Sequence, residues 1–145
     1  MIIDDNYPSI CAVNGNAGAE ALSSKNVVGS GPLLVQGGNV QNVNMTSDHN
    51  TTSHPRTAVG ITQDKRLLFV TVDGRFPGLA VGMSSELLAR YMRILGAYSA
   101  LNLDGGGSTT MWIKDKGVVN HTSQGGTSSW NSPEERSVGS IIYVK

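Results

Sequence analysis

The sequence predicts an α+β fold, a mixed and mostly short-stranded sheet with one main helix, and three observations point to it. The 18 glycines set against 6% aromatic residues imply many turns and short strands rather than a helical bundle. One segment, 84–95, has clear helical periodicity. Two apolar runs, 66–72 and 98–103, enclose that helix, which is the layout of a βαβ crossover with strands running the same way.

Taken in order, the chain opens with Ile10-Cys11-Ala12-Val13, a short apolar run ending at Asn14-Gly15 and read as a strand. Pro32-Leu33-Leu34-Val35 before Gly37-Gly38 reads as a strand closed by a turn, and 39–55 as a long polar loop in which His49 or His54 can lie near a ligand. Thr57–Thr62 and Arg66–Val72, joined at Gln63-Asp64-Lys65, form a β-hairpin. The second of these strands is apolar on both faces, which predicts a central position in the sheet. Ser84 is an N-cap, Glu86 suits the first turn, and Leu87, Leu88, Tyr91, Met92 and Leu95 fall on one face before Gly96. Strands are expected at 98–103, 109–113 and 138–144, with a turn at Lys114-Asp115-Lys116-Gly117.

Composition narrows the function. Lys plus Arg and Asp plus Glu number 11 each, a formal net charge of zero, so the chain lacks the basic footprint of a nucleic-acid binder. The single Cys11 can form neither an internal disulfide nor a multi-cysteine zinc site, and is expected to be a small buried hydrophobe. Met1-Ile2-Ile3-Asp4-Asp5 has no basic segment leading into an apolar core, and no run has the length of a membrane span, so neither an export signal nor a membrane partner is expected. At 145 residues the chain has the size of one domain.

The chemistry gathers at the strand ends. If 66–72 and 98–103 run the same way, Asp73 and Asp104 emerge at one sheet edge, where open sheets commonly bind ligands. Asp73-Gly74-Arg75 adds a guanidinium. Asn102-Leu103-Asp104-Gly105-Gly106-Gly107-Ser108-Thr109 adds a glycine triplet whose backbone can approach a ligand closely. His54-Pro55-Arg56-Thr57 brings an imidazole and a second guanidinium at a strand entry. Two arginines can grip a phosphate through paired hydrogen bonds, and carboxylates can act as base or nucleophile. Glu135-Arg136 is a third polar element. Each group also has a plainer reading: Asp-Gly is a common turn pair, and Glu135-Arg136 can be a surface ion pair worth little.

Together these residues resemble the phosphodiester glycosidase family. The match runs through Gly31-Pro32-Leu33-Leu34-Val35, His54-Pro55-Arg56-Thr57-Ala58-Val59-Gly60, Val72-Asp73-Gly74-Arg75, the 102–109 stretch and Glu135-Arg136, covering about residues 29–145. Upstream, Ala12-Val13-Asn14-Gly15-Asn16-Ala17 is similar to the start of the family's Asn-Gly-Gly-Phe-Phe-like motif but lacks its second Gly and both Phe. The chain therefore reads as one family-like domain, either a compact form or the C-terminal part of a longer member.

The resemblance implies hydrolysis of the bond between a sugar's anomeric carbon and a phosphate, with a sugar phosphodiester or phosphorylated glycan as partner. It implies catalytic roles for Asp73, Asp104 and His54. Substrate would be bound by Arg56, Arg75, Asn102, Ser108, Thr109, Glu135, Arg136 and the Gly105, Gly106 and Gly107 backbone, the last acting as an anion nest. No cofactor is required. Two rivals remain at this stage: a non-catalytic carbohydrate- or phosphate-binding module, and a metal-dependent phosphodiesterase in which Asp73 and Asp104 hold a divalent cation. A P-loop is a poor fit, since the glycines lack its Lys and following helix.

Overall fold

The computed structural model describes residues 1–3, 8–13, 26–43, 46–124 and 128–144. The Asn14-Gly15-Asn16-Ala17 stretch lies outside the described residues. The chain divides into two compact units. The first comprises Met1–Thr52, Ala58–Val70 and Ser84–Leu103; the second comprises Ser53–Thr57, Thr71–Met83 and Asp104–Lys145.

The first unit is built on a sheet of five strands. In chain order these are β4 (Leu33–Gln36), β5 (Asn39–Val40), β6 (Arg56–Thr62), β7 (Leu67–Val72) and β8 (Ala97–Asn102), arranged β5-β4-β8-β6-β7. Strand β8 pairs antiparallel with both β4 and β6, in a register that sets Ala58 opposite Asn102 and Gly60 opposite Ala100. The sheet is antiparallel throughout. Strands β7 and β8 therefore do run the same way, with β6 inserted between them and antiparallel to each. A second, three-stranded antiparallel sheet is formed by β1 (Ile2–Ile3), β2 (Pro8–Ser9) and β3 (Asn26–Val27).

The main helix, Ser85–Ile94, begins where the sequence places it. Ser84 has extended backbone and its side chain accepts from the Leu87 amide, satisfying one of the donors left open at a helix start. Arg90 pairs with Glu86 at 2.7 Å, and Gly96, with φ +95°, supplies the left-handed stop. The buried face is Ser85, Leu88, Ala89 and Met92, narrower than the apolar stripe in the sequence, because Leu87, Tyr91 and Leu95 are exposed. The helix packs on β4, β5 and β8. A β-carbon on Gly60 would lie 2.8 Å from Met92 Cε, so the Met92 side chain takes the space that any larger residue on β6 would need. Leu34, Val35, Ala58, Val59, Leu88 and Ala100 complete a fully buried core. Truncating Leu88 to Ala should cost about 2–5 kcal/mol.

Five expectations change. Strand β7 lies at the sheet edge, not its centre, and Phe69 on it is exposed; β6, buried along almost its whole length, is the covered strand. Cys11 is exposed, and Ile10–Val13 forms no strand, pairing being confined to Pro8–Ser9. The 109–113 strand shrinks to β9 (Trp112–Ile113), which pairs with β10 (Gly117–Val118) across a turn at Lys114–Lys116 where Asp115 has φ +65°. The segment 138–144 is not a strand: it has no partner edge among the described residues, and Val138, Ile141, Tyr143 and Val144 are exposed. Apolar spacing marks what can pair but does not provide the pairing backbone.

Candidate active site

Nearly all the residues singled out at the strand ends belong to the second unit. Its framework is the segment His54-Pro55-Arg56, closely approached by three glycines. A β-carbon on Gly74 would stand 2.7 Å from the Pro55 nitrogen, one on Gly105 would stand 2.7 Å from the Pro55 carbonyl oxygen, and one on Gly82 would stand 2.5 Å from His54 backbone atoms. Glycine is required there by contact with backbone, which cannot move aside as a side chain can. His54 exchanges backbone hydrogen bonds with Met83, and the Gly106 amide donates to the Pro55 carbonyl at 2.9 Å. The Asp73-Gly74-Arg75 loop, the Gly82–Met83 loop and the glycine triplet are thus fixed to one short run of chain.

Arg56 and Arg75 differ sharply in environment. Arg56 is 0% exposed, its Nε donates to the Met83 carbonyl at 2.8 Å, and burial holds its pKa below the ordinary arginine value. Arg75 is exposed and has φ +65°, an uncommon backbone for a residue with a side chain. Its guanidinium lies over the triplet, with Nη2 2.9 Å from where a Gly106 β-carbon would be. Arg136, also exposed, lies over the next residue, its Cδ 3.1 Å from the corresponding position on Gly107. Glu135 is exposed.

The triplet itself forms a turn of 3-10 helix, Gly106–Ser108. Asp104, exposed, accepts the Gly105 amide on Oδ1 at 2.9 Å, while Ser108 and Thr109 donate to the Gly105 and Gly106 carbonyls. The amides of Gly105, Gly106, Ser108 and Thr109 are therefore all engaged within the protein. The positive group laid on this loop is the guanidinium of Arg75, and the aliphatic stem of Arg136 runs beside it.

Asp73 is joined to the same loop through Asn120, which no motif singled out. The Asn120 amide donates to Asp73 Oδ1 at 3.4 Å and to the Thr109 carbonyl at 3.0 Å, and the Thr57 and Thr109 hydroxyls lie 3.4 Å apart. The neighbouring His121 donates its backbone amide to Asp73 Oδ1 at 2.9 Å, and its Nδ1 lies 3.2 Å from Asp73 Oδ2. The His121 ring stacks on Trp130, centroids 3.5 Å apart and planes within 10°, and Phe76 meets both rings edge-on. Asn120, His121, Trp130 and Phe76 were missed because Phe76 is more than 40 residues from the others and the four share no motif spacing.

Asn102 belongs to the first unit. It is buried, its Nδ2 donates to the Gly31 and Leu103 carbonyls, and its Oδ1 has no hydrogen-bond partner among the described residues. His49, in a one-turn helix at Asp48–Thr51, also belongs to the first unit. Among the described residues no group of three His, Cys, Asp or Glu side chains is placed to hold a metal ion, and no helix is long and apolar enough to cross a membrane.

Such an arrangement suits an anionic substrate handled beside carboxylates and an imidazole, and comparison with known proteins gives that chemistry a context. The family model described as phosphodiester glycosidase matches residues 5–145. No curated protein matches the chain. Among solved structures, a hypothetical protein from Synechocystis is 30% identical over 57% of this chain and 16% of its own, with a TM-score of 0.50. A putative exported protein from Burkholderia pseudomallei is 45% identical over 50% of this chain and 14% of its own, with a TM-score of 0.47. The catalytic domain of zebrafish N-acetylglucosamine-1-phosphodiester alpha-N-acetylglucosaminidase, auto-inhibited by its pro-peptide, is 23% identical over 74% of this chain and 39% of its own, with a TM-score of 0.57. In each case the match spans well under half of the other chain.

Proposed function

The chain belongs to the phosphodiester glycosidase family, and on that basis we propose that it hydrolyses the bond between a sugar's anomeric carbon and the phosphate of a sugar-1-phosphodiester. The observation that carries this reading is the exposed Arg75 guanidinium laid over Gly106, with the exposed Arg136 side chain against Gly107, in the unit that also holds Asp73 and Asp104. A phosphodiester bears a permanent negative charge and its departing phosphate gains more. The forked cations of these two arginines stabilise the leaving group, and little proton donation is needed. Replacing either by Lys would keep charge and lose the fork.

The remaining roles follow from position. Asp104, exposed at the root of the triplet, is the carboxylate available to the anomeric carbon as nucleophile or base. Arg56, buried and bonded to Met83, holds the His54–Arg56 segment and acts on substrate from behind it. His54, on the same segment, serves as a substrate-binding group. The substrate class is a phosphorylated glycan or other sugar phosphodiester, with an N-acetylglucosamine-1-phosphodiester as the first probe because the zebrafish neighbour's name carries that sugar.

The test is hydrolysis of that probe by the wild-type chain and by Asp104→Asn. The wild type should release free sugar, and the variant, with an unchanged circular dichroism spectrum, should lose at least about 100-fold in kcat. Unchanged turnover in the variant removes Asp104 from the mechanism.

A further inference from the structure

Asp73 is a poor candidate for direct contact with substrate, for a geometric reason. Oδ1 accepts from the His121 backbone amide at 2.9 Å and from the Asn120 side chain at 3.4 Å, and Oδ2 faces His121 Nδ1 at 3.2 Å. Both oxygens are thus engaged by groups of the protein, Oδ1 by two donors and Oδ2 by the imidazole. The imidazole beside it is differently placed. Its Nε2 has no hydrogen-bond partner among the described residues, its side chain is 36% exposed against 22% for Asp73, and the Trp130 indole fixes its plane.

We infer that Asp73 and His121 form a dyad in which His121 Nε2 is the proton acceptor, and Asp73 is the positioning residue that keeps the proton on Nδ1. A carboxylate on one ring nitrogen selects the tautomer whose other nitrogen is a free acceptor, and stabilises the imidazolium once it forms. The inference rests on the glycosidase reading above. In the step it assigns, a water O–H bond breaks and its proton goes to Nε2, while the water oxygen forms a bond to the anomeric carbon or to the anomeric carbon of a glycosyl intermediate. The bond from that carbon to its leaving oxygen breaks, and its electron pair departs on that oxygen. The imidazolium then returns its proton to solvent. Trp130 has a part in this: its stacked ring, 3.5 Å away, favours the imidazole plane that keeps Nδ1 against Asp73. Nothing in the sequence connects position 73 with positions 121 and 130, which follow the last strand.

Two measurements test it. The first needs no substrate: the side-chain 15N spectrum of His121 in the folded chain at pH 8. A ring protonated on Nδ1 alone is the expected result. A proton on Nε2 alone, or on both nitrogens, overturns the dyad, since neither form can accept. The second uses the N-acetylglucosamine-1-phosphodiester probe. His121→Ala should lose about 100-fold or more in kcat with little change in KM, and added imidazole should restore part of it. A rate within threefold of wild type, or a loss that imidazole leaves unchanged, overturns the role of His121 while leaving the glycosidase reading standing. No hydrolysis by the wild type overturns the glycosidase reading and the catalytic part of this inference together, and the 15N spectrum still decides the dyad.

Discussion

Arg75 lies across Gly106: the guanidinium Nη2 is 2.9 Å from the position a β-carbon on Gly106 would take, and Gly106 itself has φ +60°. The two facts act in different places. The positive φ makes any L side chain there strained, by about 1–2 kcal/mol, while the contact is with the flexible end of a side chain, which can move. Gly106→Ala should therefore fold, with a thermal midpoint lowered by a few degrees. Its main effect should be on kcat/KM for a sugar phosphodiester, down about 10–100-fold through a displaced Arg75. Steady-state kinetics with a melting curve on the same sample checks both halves.

Arg56 and Arg75 look interchangeable in the sequence, each a guanidinium at a strand end, and the structure separates them. Arg75→Met should leave stability within about 0.5 kcal/mol because the side chain is exposed. Turnover should fall about 100-fold with the loss of one charged donor to the leaving phosphate. Arg56→Met should do the reverse first: it removes the hydrogen bond from a fully enclosed guanidinium to the part-buried Met83 carbonyl, at an expected cost of about 1–3 kcal/mol in urea unfolding. An Arg56→Met protein as stable as wild type but unable to bind substrate would show that Arg56 touches substrate directly.

Asp64 gives the fold a defined response to acid. The Thr62 hydroxyl donates to its carboxylate and Arg66 pairs with it at 2.8 Å, and these hold its pKa below the ordinary 3.8, the Thr62 hydrogen bond being the larger cause. A carboxyl group with a lowered folded-state pKa stabilises the fold fully above the unfolded value, and that contribution is lost as pH falls through the folded one. Asp64→Asn should therefore leave a shallower dependence of the urea midpoint on pH below about 4 than the wild type shows. An identical dependence in both proteins would remove Asp64 as its source.

The legible and illegible parts of this molecule divide by sequence separation. The Ser84 cap, the helix after it and the β6–β7 hairpin rest on contacts a few residues long, and they are where local pattern puts them. The shared direction of β7 and β8 was also readable, because a helix between two strands of one sheet returns the chain. The insertion of β6 between them was not, since pairing order depends on which edges are free when the sheet assembles. Asp73, Arg75 and the glycine triplet announce themselves by residue type. Asn120, His121 and Trp130 do not: a lone histidine and a tryptophan on a loop have many ordinary explanations until their rings are seen stacked. Burial was the other blind spot. Arg56 reads as a strand-end charge and is completely enclosed, whereas Cys11 reads as a core residue and is exposed.

The bond that breaks separates a glycosidase from a phosphodiesterase. Hydrolysis of an N-acetylglucosamine-1-phosphodiester in 18O-labelled water, with both products analysed by mass spectrometry, answers that directly. Attack at the anomeric carbon predicts the label in the released sugar and none in the phosphate. Label appearing in the phosphate would place the cleavage at phosphorus and contradict it.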